Sequence, residues 1–226
     1  MGSAALSARQ AQIVEAAMRV LATRGARRFT VQLLAAEVGV TGGAIYRHFP
    51  SMETVGDAVF ARIETILFEG FPPKDPDPLA RLRAFFLRRT RTILDHPHVS
   101  RLLLSDCRTG KTGAVPVERL DQYRRRSREF VVGCLREAKR RGMLAGGASA
   151  EAGAVLVLGS ILALAHAGTR IVGEDRAPRL VEEIWGTIES ALRGLRPSSA
   201  SGKRPRRRRG KGEGGRAGSE RRGSRR

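Results

Sequence analysis

The chain's four histidines and two cysteines are the side chains through which a metal site or a nucleophilic catalyst would show itself, and their spacing serves neither. His96 and His98 bracket Pro97 at the end of a helical pattern, which reads as a turn rather than a ligand pair. His166 lies in an apolar stretch with no obvious carboxylate or thiol partner. Cys107 and Cys134 lack a CxxC or His-rich spacing and read as small buried apolar residues in a reducing compartment. There is no glycine-rich phosphate loop and no nucleophile elbow, so no catalytic residue, metal or cofactor is expected. His48 belongs to a different chemistry. Tyr46 and His48 carry hydroxyl and imidazole groups that can reach phosphate oxygens, and Arg47 between them is a long cation. Just ahead stand Gly42 and Gly43, almost without side chains. Two glycines in one helical turn cost about 1 kcal/mol each and need a reason. Close approach of backbone to a partner surface, with a helix N-terminus aimed at phosphate, is such a reason.

Two short helices must position these groups. Thr30 is a good N-cap, and Val31, Leu34, Ala35 and Val38 follow at one-face helical spacing. Gly39 falls where a helix would stop in a left-handed residue. Val40 turns inward, Thr41 caps a second helix, and Pro50 forbids continuation past Phe49. Ile45 and Phe49 form its inward side, with Ala44 beside them. Helix, tight turn, helix is the helix-turn-helix pattern, whose second helix enters the major groove of DNA. Periodicity alone also allows a helical hairpin inside an ordinary bundle.

Residues 10–60 resemble the DNA-binding domain of the TetR family of bacterial repressors. The resemblance is carried by the A-T-R-G ending at Gly25, by Thr30-Val31, and by A-x-x-x-G-V from Ala35 to Val40. It continues through Thr41, Gly43, Ile45, Tyr46, His48 and Phe49, then Pro50-Ser51. Two positions depart: Gly42 and Met52 stand where many relatives carry a cation. The resemblance implies an all-α, homodimeric repressor of double-stranded DNA, released by a small, often apolar inducer. The candidate DNA-binding residues are Arg28, Thr30, Thr41, Gly42, Gly43, Ala44, Tyr46, Arg47 and His48. A second reading within the same family is a DNA-bound interaction protein of the nucleoid-occlusion type.

Composition frames both. With 226 residues, 41% of them hydrophobic, the chain can bury a substantial core. Its net charge is +20, and half of that lies after residue 196, where twelve Lys and Arg face two Glu. Residues 197–226 are Gly, Ser, Pro and Arg with almost nothing apolar, so a disordered basic tail is expected. It is either a solubilising segment or a binder of phosphate without sequence preference. The N-terminus lacks the apolar core of a signal peptide, and the longest apolar run, 154–165, is too short to span a bilayer. A cytoplasmic, nucleoid-associated protein with no membrane partner is expected.

Helical periodicity continues beyond the motif. Ser7 and Gln10 form a capping-box pattern, and Ser51 caps a helix with Val55, Val59, Ile63, Ile66 and Leu67 on one side. Four prolines within 72–78 mark a boundary. Further helices follow over about 79–95, 99–107, 117–141, 149–171 and 178–195, about nine in all. The expected organisation is a flexible 1–8, a helix-turn-helix domain 9–55, a regulatory and dimerisation domain 56–196, and the tail. Phe85, Phe86, Leu103, Tyr123, Phe130, Cys134 and His166 are the candidate ligand-cavity lining, or serve as plain core. The last two helices carry Leu156, Gly159, Ala163, Val181, Ile184, Trp185 and Ile188, which the family resemblance assigns to a four-helix dimer interface. Completing one protomer's core is the alternative.

Overall fold

A computed structural model of the chain describes residues 6–104, 117–167 and 176–194, and all of what it describes is helix, turn or loop. The helices are α1 (Ala8–Arg24), α2 (Val31–Val38), α3 (Gly42–Tyr46), α4 (Met52–Phe68), α5 (Pro78–Asp95), α6 (Pro97–Leu104), α7 (Val117–Arg140), α8 (Ala150–Ala167) and α9 (Ala177–Arg193). The expected tail at 197–226 and Cys107 lie outside the described residues.

Local chemistry sets the helix ends. Ser7 and Gln10 close a reciprocal capping box on α1, and Ser51 and Thr54 close another on α4. Thr30 Oγ1 accepts from Leu33 N at the start of α2, and Asp77 Oδ1 accepts from Leu79 N beside Pro78 at the start of α5. Gly39 ends α2 in the left-handed region at φ 74°, where the amides of Gly39 and Val40 return to Ala36 and Ala35 carbonyls. α3 is shorter than the span to Phe49 that Pro50 suggested. It stops at Tyr46, and His48 N turns back to Ile45 O three residues away. Phe49 N shares the same Ile45 carbonyl at 3.0 Å, and Pro50, which has no N–H to donate, ends the run there.

Two apolar clusters hold the chain. The first joins α1, α2, α3 and α4 through Ile13, Ala17, Leu21, Leu34, Ile45, Phe49, Val59 and Ile63. It also takes in Val99 and Leu102 of α6 and Leu120 and Tyr123 of α7, so α1–α4 share one core with the helices beyond. The second is built from α5, α7, α8 and α9, around Leu82, Phe86, Val131, Leu135, Val157 and Trp185. Phe71, in the segment between α4 and α5, packs against both.

Candidate nucleic-acid interface and ligand cavity

The inward and outward sides of α3 divide sharply. Ile45 is fully buried and Phe49 nearly so, pinning the segment to the first core. Tyr46, Arg47 and His48 are exposed together with Thr41 and Gly43, while Gly42 and Ala44 are half-buried. Thr41 spends its hydroxyl as an N-cap, accepting from Ala44 N at 3.3 Å. The end of the segment is held from a distance: Gln10 Nε2 donates to the His48 carbonyl at 3.1 Å while its Oε1 accepts from Ser7 N. Thr30 is exposed at the start of α2, and Arg28 is exposed in the short 3-10 turn before it.

Among the described residues nothing asks for two glycines here. A Cβ on Gly43 would meet no atom within 4 Å, and one on Gly42 would make ordinary contact with Val31 at 3.6 Å. Neither glycine has positive φ, unlike Gly39. The missing side chains open the surface outward instead.

A cavity of about 300 Å³ lies among α4, α5, α6, α7 and α8. Of the residues proposed from sequence, Phe85, Leu103 and Tyr123 line it. The others go elsewhere. Phe86 is fully buried against Trp185, with ring centres 5.6 Å apart. Phe130 stacks with Phe71 and Phe85 and, with Cys134, borders a separate groove beside Pro72 and Pro73. Cys134 is a free, buried thiol whose pKa burial pushes up, which Arg81 partly offsets. His166 is exposed on α8, which buries Ala154, Val157, Ile161 and Leu164 instead.

Among the lining residues that the sequence did not point to, Arg89 is the one that is both charged and buried. It is 7% exposed, yet among the described residues no carboxylate pairs with it. Its Nη2 donates to Ser127 Oγ at 3.4 Å, and its guanidinium carbon stands 4.9 Å from the Phe68 ring centre and 5.3 Å from that of Phe85. Burial, then Arg126 and Arg88, lowers its pKa to about 10. The signal was present in sequence. Arg89 follows Leu82, Phe85 and Phe86 at seven, four and three residues, so it falls on the apolar face of α5. Tyr123, raised to about 12 by burial and then Glu64, stays protonated and donates to the Phe60 carbonyl at 2.9 Å.

The residues expected at a dimer interface also separate. Trp185 is 2% exposed, and Val181 and Ile188 are buried beside it; the single apolar stripe of α9 is consumed against α5 and α8 within the protomer. Within one chain, Val181, Trp185 and Ile188 belong to the second core. Ile184 is half-buried. On α8, by contrast, Leu156, Gly159 and Ala163 are exposed, next to Val155 at 71% and Leu162 at 53%. His96 caps the end of α5 and His98 sits in the first turn of α6, its pKa lowered by burial, then by Arg101 and Arg19. Among the described residues no three His, Cys, Asp or Glu are grouped to hold a metal, and no helix is long and apolar enough to cross a membrane.

Residues 13–59 match the family model of bacterial regulatory proteins of the tetR family. The nucleoid occlusion factor SlmA of Marinomonas sp. (strain MWYL1) is 30% identical over 112 residues, which are 46% of this chain and 54% of that protein. The chain spans about half the length of the curated relatives it matches. Among solved structures, the TetR family transcriptional regulator PfmR from Thermus thermophilus superposes with a TM-score of 0.63 at 19% identity, covering 86% of this chain and all of that one. FadR from Bacillus subtilis in complex with stearoyl-CoA superposes with a TM-score of 0.58 at 17% identity, covering 80% of this chain and 98% of that one. This chain carries a tetR-family helix-turn-helix domain on a helical body with the fold of TetR-family regulators.

Proposed function

We propose that this tetR-family chain is a homodimeric, sequence-reading DNA-binding regulator whose grip on its operator is loosened by a small ligand in the cavity. One observation carries the reading: α4 begins two residues beyond Pro50, at the end of the exposed Tyr46–His48 segment, and its last turn supplies Leu67 to the cavity wall. At 1.5 Å per residue this one helix spans about 25 Å between the two sites. A ligand that prefers one setting of α4 then changes the spacing of two α3 segments in a dimer, which is a coupling between sites through a shared element. The Phe60–Tyr123 hydrogen bond and the Phe68 contacts with Arg89 and Arg126 tie α4 to the helices that close the cavity.

In this reading Thr41 to His48 enter the major groove, Tyr46, His48 and Arg28 hold phosphate, and Arg47 reads base edges. The bare first turn of α3 lets backbone approach the duplex, so DNA shape carries part of the specificity. The exposed apolar face of α8, with Val155, Leu156, Gly159, Leu162 and Ala163, is the surface through which a second copy docks. The fold shared with a stearoyl-CoA-bound FadR supports a ligand-holding body.

The relatives named nucleoid occlusion factor favour a second reading, a DNA-bound interaction protein with no inducer. Selection from random duplexes at near-physiological salt tests both, using the full chain and a chain ending at Arg196. Recovery by both chains of one palindrome with half-sites about one helical turn apart, or a multiple of it, supports sequence reading by a dimer. Binding by the full chain alone, with no enriched sequence, shifts the affinity to the basic residues beyond 196 and sinks the regulator reading. A ligand that lowers affinity for that palindrome separates the regulator from the interaction protein.

A further inference from the structure

We infer that the cavity is built for a singly charged amphiphile of medium length, its carboxylate paired with Arg89 and its chain lying against Phe85, Ile93, Leu103, Leu158 and Ile161. This deepens the ligand reading above and rests on the cavity being the ligand site.

Burial, charge, contacts and lining converge on this. A cation buried to this degree needs a counter-charge, because an isolated charge in an apolar site is expensive. Arg89 has none among the described residues, and its charged neighbours, Arg126 and Arg88, are cations that add to the local positive potential. Its contacts are two aromatic rings and one hydroxyl, Ser127 Oγ at 3.4 Å, which is a long and weak hydrogen bond. The remaining wall is almost wholly aliphatic and aromatic, with the long cations Arg124 and Arg128 also bordering it.

Size and charge then define the ligand. A planar guanidinium presents paired N–H donors that match a carboxylate in two parallel hydrogen bonds. Arg124 and Arg128 are exposed at the border, so the one buried cation calls for one carboxylate, and an anion fits better than a neutral lipid. About 300 Å³ is the small end of the range of small-molecule pockets. That is the bulk of a medium-chain carboxylic acid and far less than a long acyl chain with a large carrier. Occupation also bears on α4. A carboxylate on the guanidinium offsets the positive charge that holds Arg89 to the Phe68 ring.

The test is calorimetric titration of the full chain with decanoate, 1-decanol and decylamine. Decanoate should bind once per protomer, decanol at least about tenfold more weakly, and decylamine not measurably, as expected when a charge-assisted pair is the difference. Arg89→Met should weaken decanoate by about tenfold to a hundredfold while leaving decanol unchanged or tighter. Equal binding of decanoate and decanol to the unmodified chain overturns the inference without any variant. So does decanoate binding that ignores Arg89→Met, or binding of decanoyl-coenzyme A where decanoate fails. Arg89-dependent decanoate binding that leaves operator affinity unchanged would keep this inference and remove the regulatory reading. An operator-binding chain that takes up no decanoate would do the reverse.

Discussion

The guanidinium carbon of Arg89 stands 4.9 Å from the ring centre of Phe68, so a cation lining the cavity rests on the last residue of the helix that starts beside the exposed α3 turn. Arg126 approaches the same ring at 4.3 Å and also reaches Glu64 of α4 at 3.4 Å. The C-terminal turn of α4 is therefore held by cation–π contacts from α5 and α7, each worth about 0.5–2 kcal/mol and sensitive to any anion placed nearby. Exposed ion pairs such as Arg126–Glu64 add little in water, so the aromatic contacts carry the link.

Removing the buried charge should strengthen the fold. Arg89→Met keeps length and loses a cation without a carboxylate partner, so the variant should unfold at higher urea, by about 1 kcal/mol or more. The effect should depend on pH. Because the folded chain lets go of the Arg89 proton near pH 10 while the unfolded chain holds it to higher pH, unmodified protein gains stability as pH rises past 10. The gap between it and Arg89→Met should narrow there. A lower urea midpoint for the variant at neutral pH would mean that Arg89 is a structural contact instead.

The glycines of α3 should separate stability from binding. Gly42→Ala and Gly43→Ala meet no steric obstacle within the chain and raise helix propensity, so thermal unfolding should move up, by about 0.5–1 kcal/mol each. Affinity for the selected duplex should fall at the same time, if backbone closeness to DNA is the reason for the missing side chains. Unchanged affinity would leave the paired glycines without a role.

The exposed tips should fall into two classes. Tyr46→Phe and His48→Ala should weaken binding to all duplexes by a similar factor, about 1 kcal/mol, because phosphate contacts carry no sequence. Arg47→Ala should relax preference at one or two positions per half-site, by about 1–3 kcal/mol of discrimination. Repeating the selection with each variant decides it; a changed consensus for His48→Ala or an unchanged one for Arg47→Ala reverses the assignment.

Two apolar residues test which helix face meets a second copy. Leu162→Asp on the exposed face of α8 should shift the sedimentation of the full chain to that of a monomer with little change in helicity. Trp185→Ala, by contrast, opens a cavity beside Phe86 and should cost about 3–5 kcal/mol of stability. A Leu162→Asp dimer as tight as the unmodified one would place the interface on another surface.

Much of the fold was legible in the chain because local rules govern it. Thr30, Gly39, Thr41 and Ser51 mark helix ends by hydrogen bonds within a few residues of themselves, and the 3.6-residue periods at Ile13–Leu21 and Val55–Leu67 name their own buried faces. The helix-turn-helix motif is of the same kind, since its residues lie within one short stretch. What periodicity cannot say is which surface covers an apolar stripe. Val181, Trp185 and Ile188 look the same in sequence whether they meet α5 or a second protomer, and burial against Phe86 was decided only by the packing of α9 on α5. Likewise Phe86 and Phe85 are adjacent in sequence but one closes a core and the other lines a cavity. The charge of Arg89 was readable, and its place on the apolar face of α5 was implied. Its isolation from carboxylates and its rest on Phe68 depend on helices distant in the chain converging, which is a property of three dimensions alone.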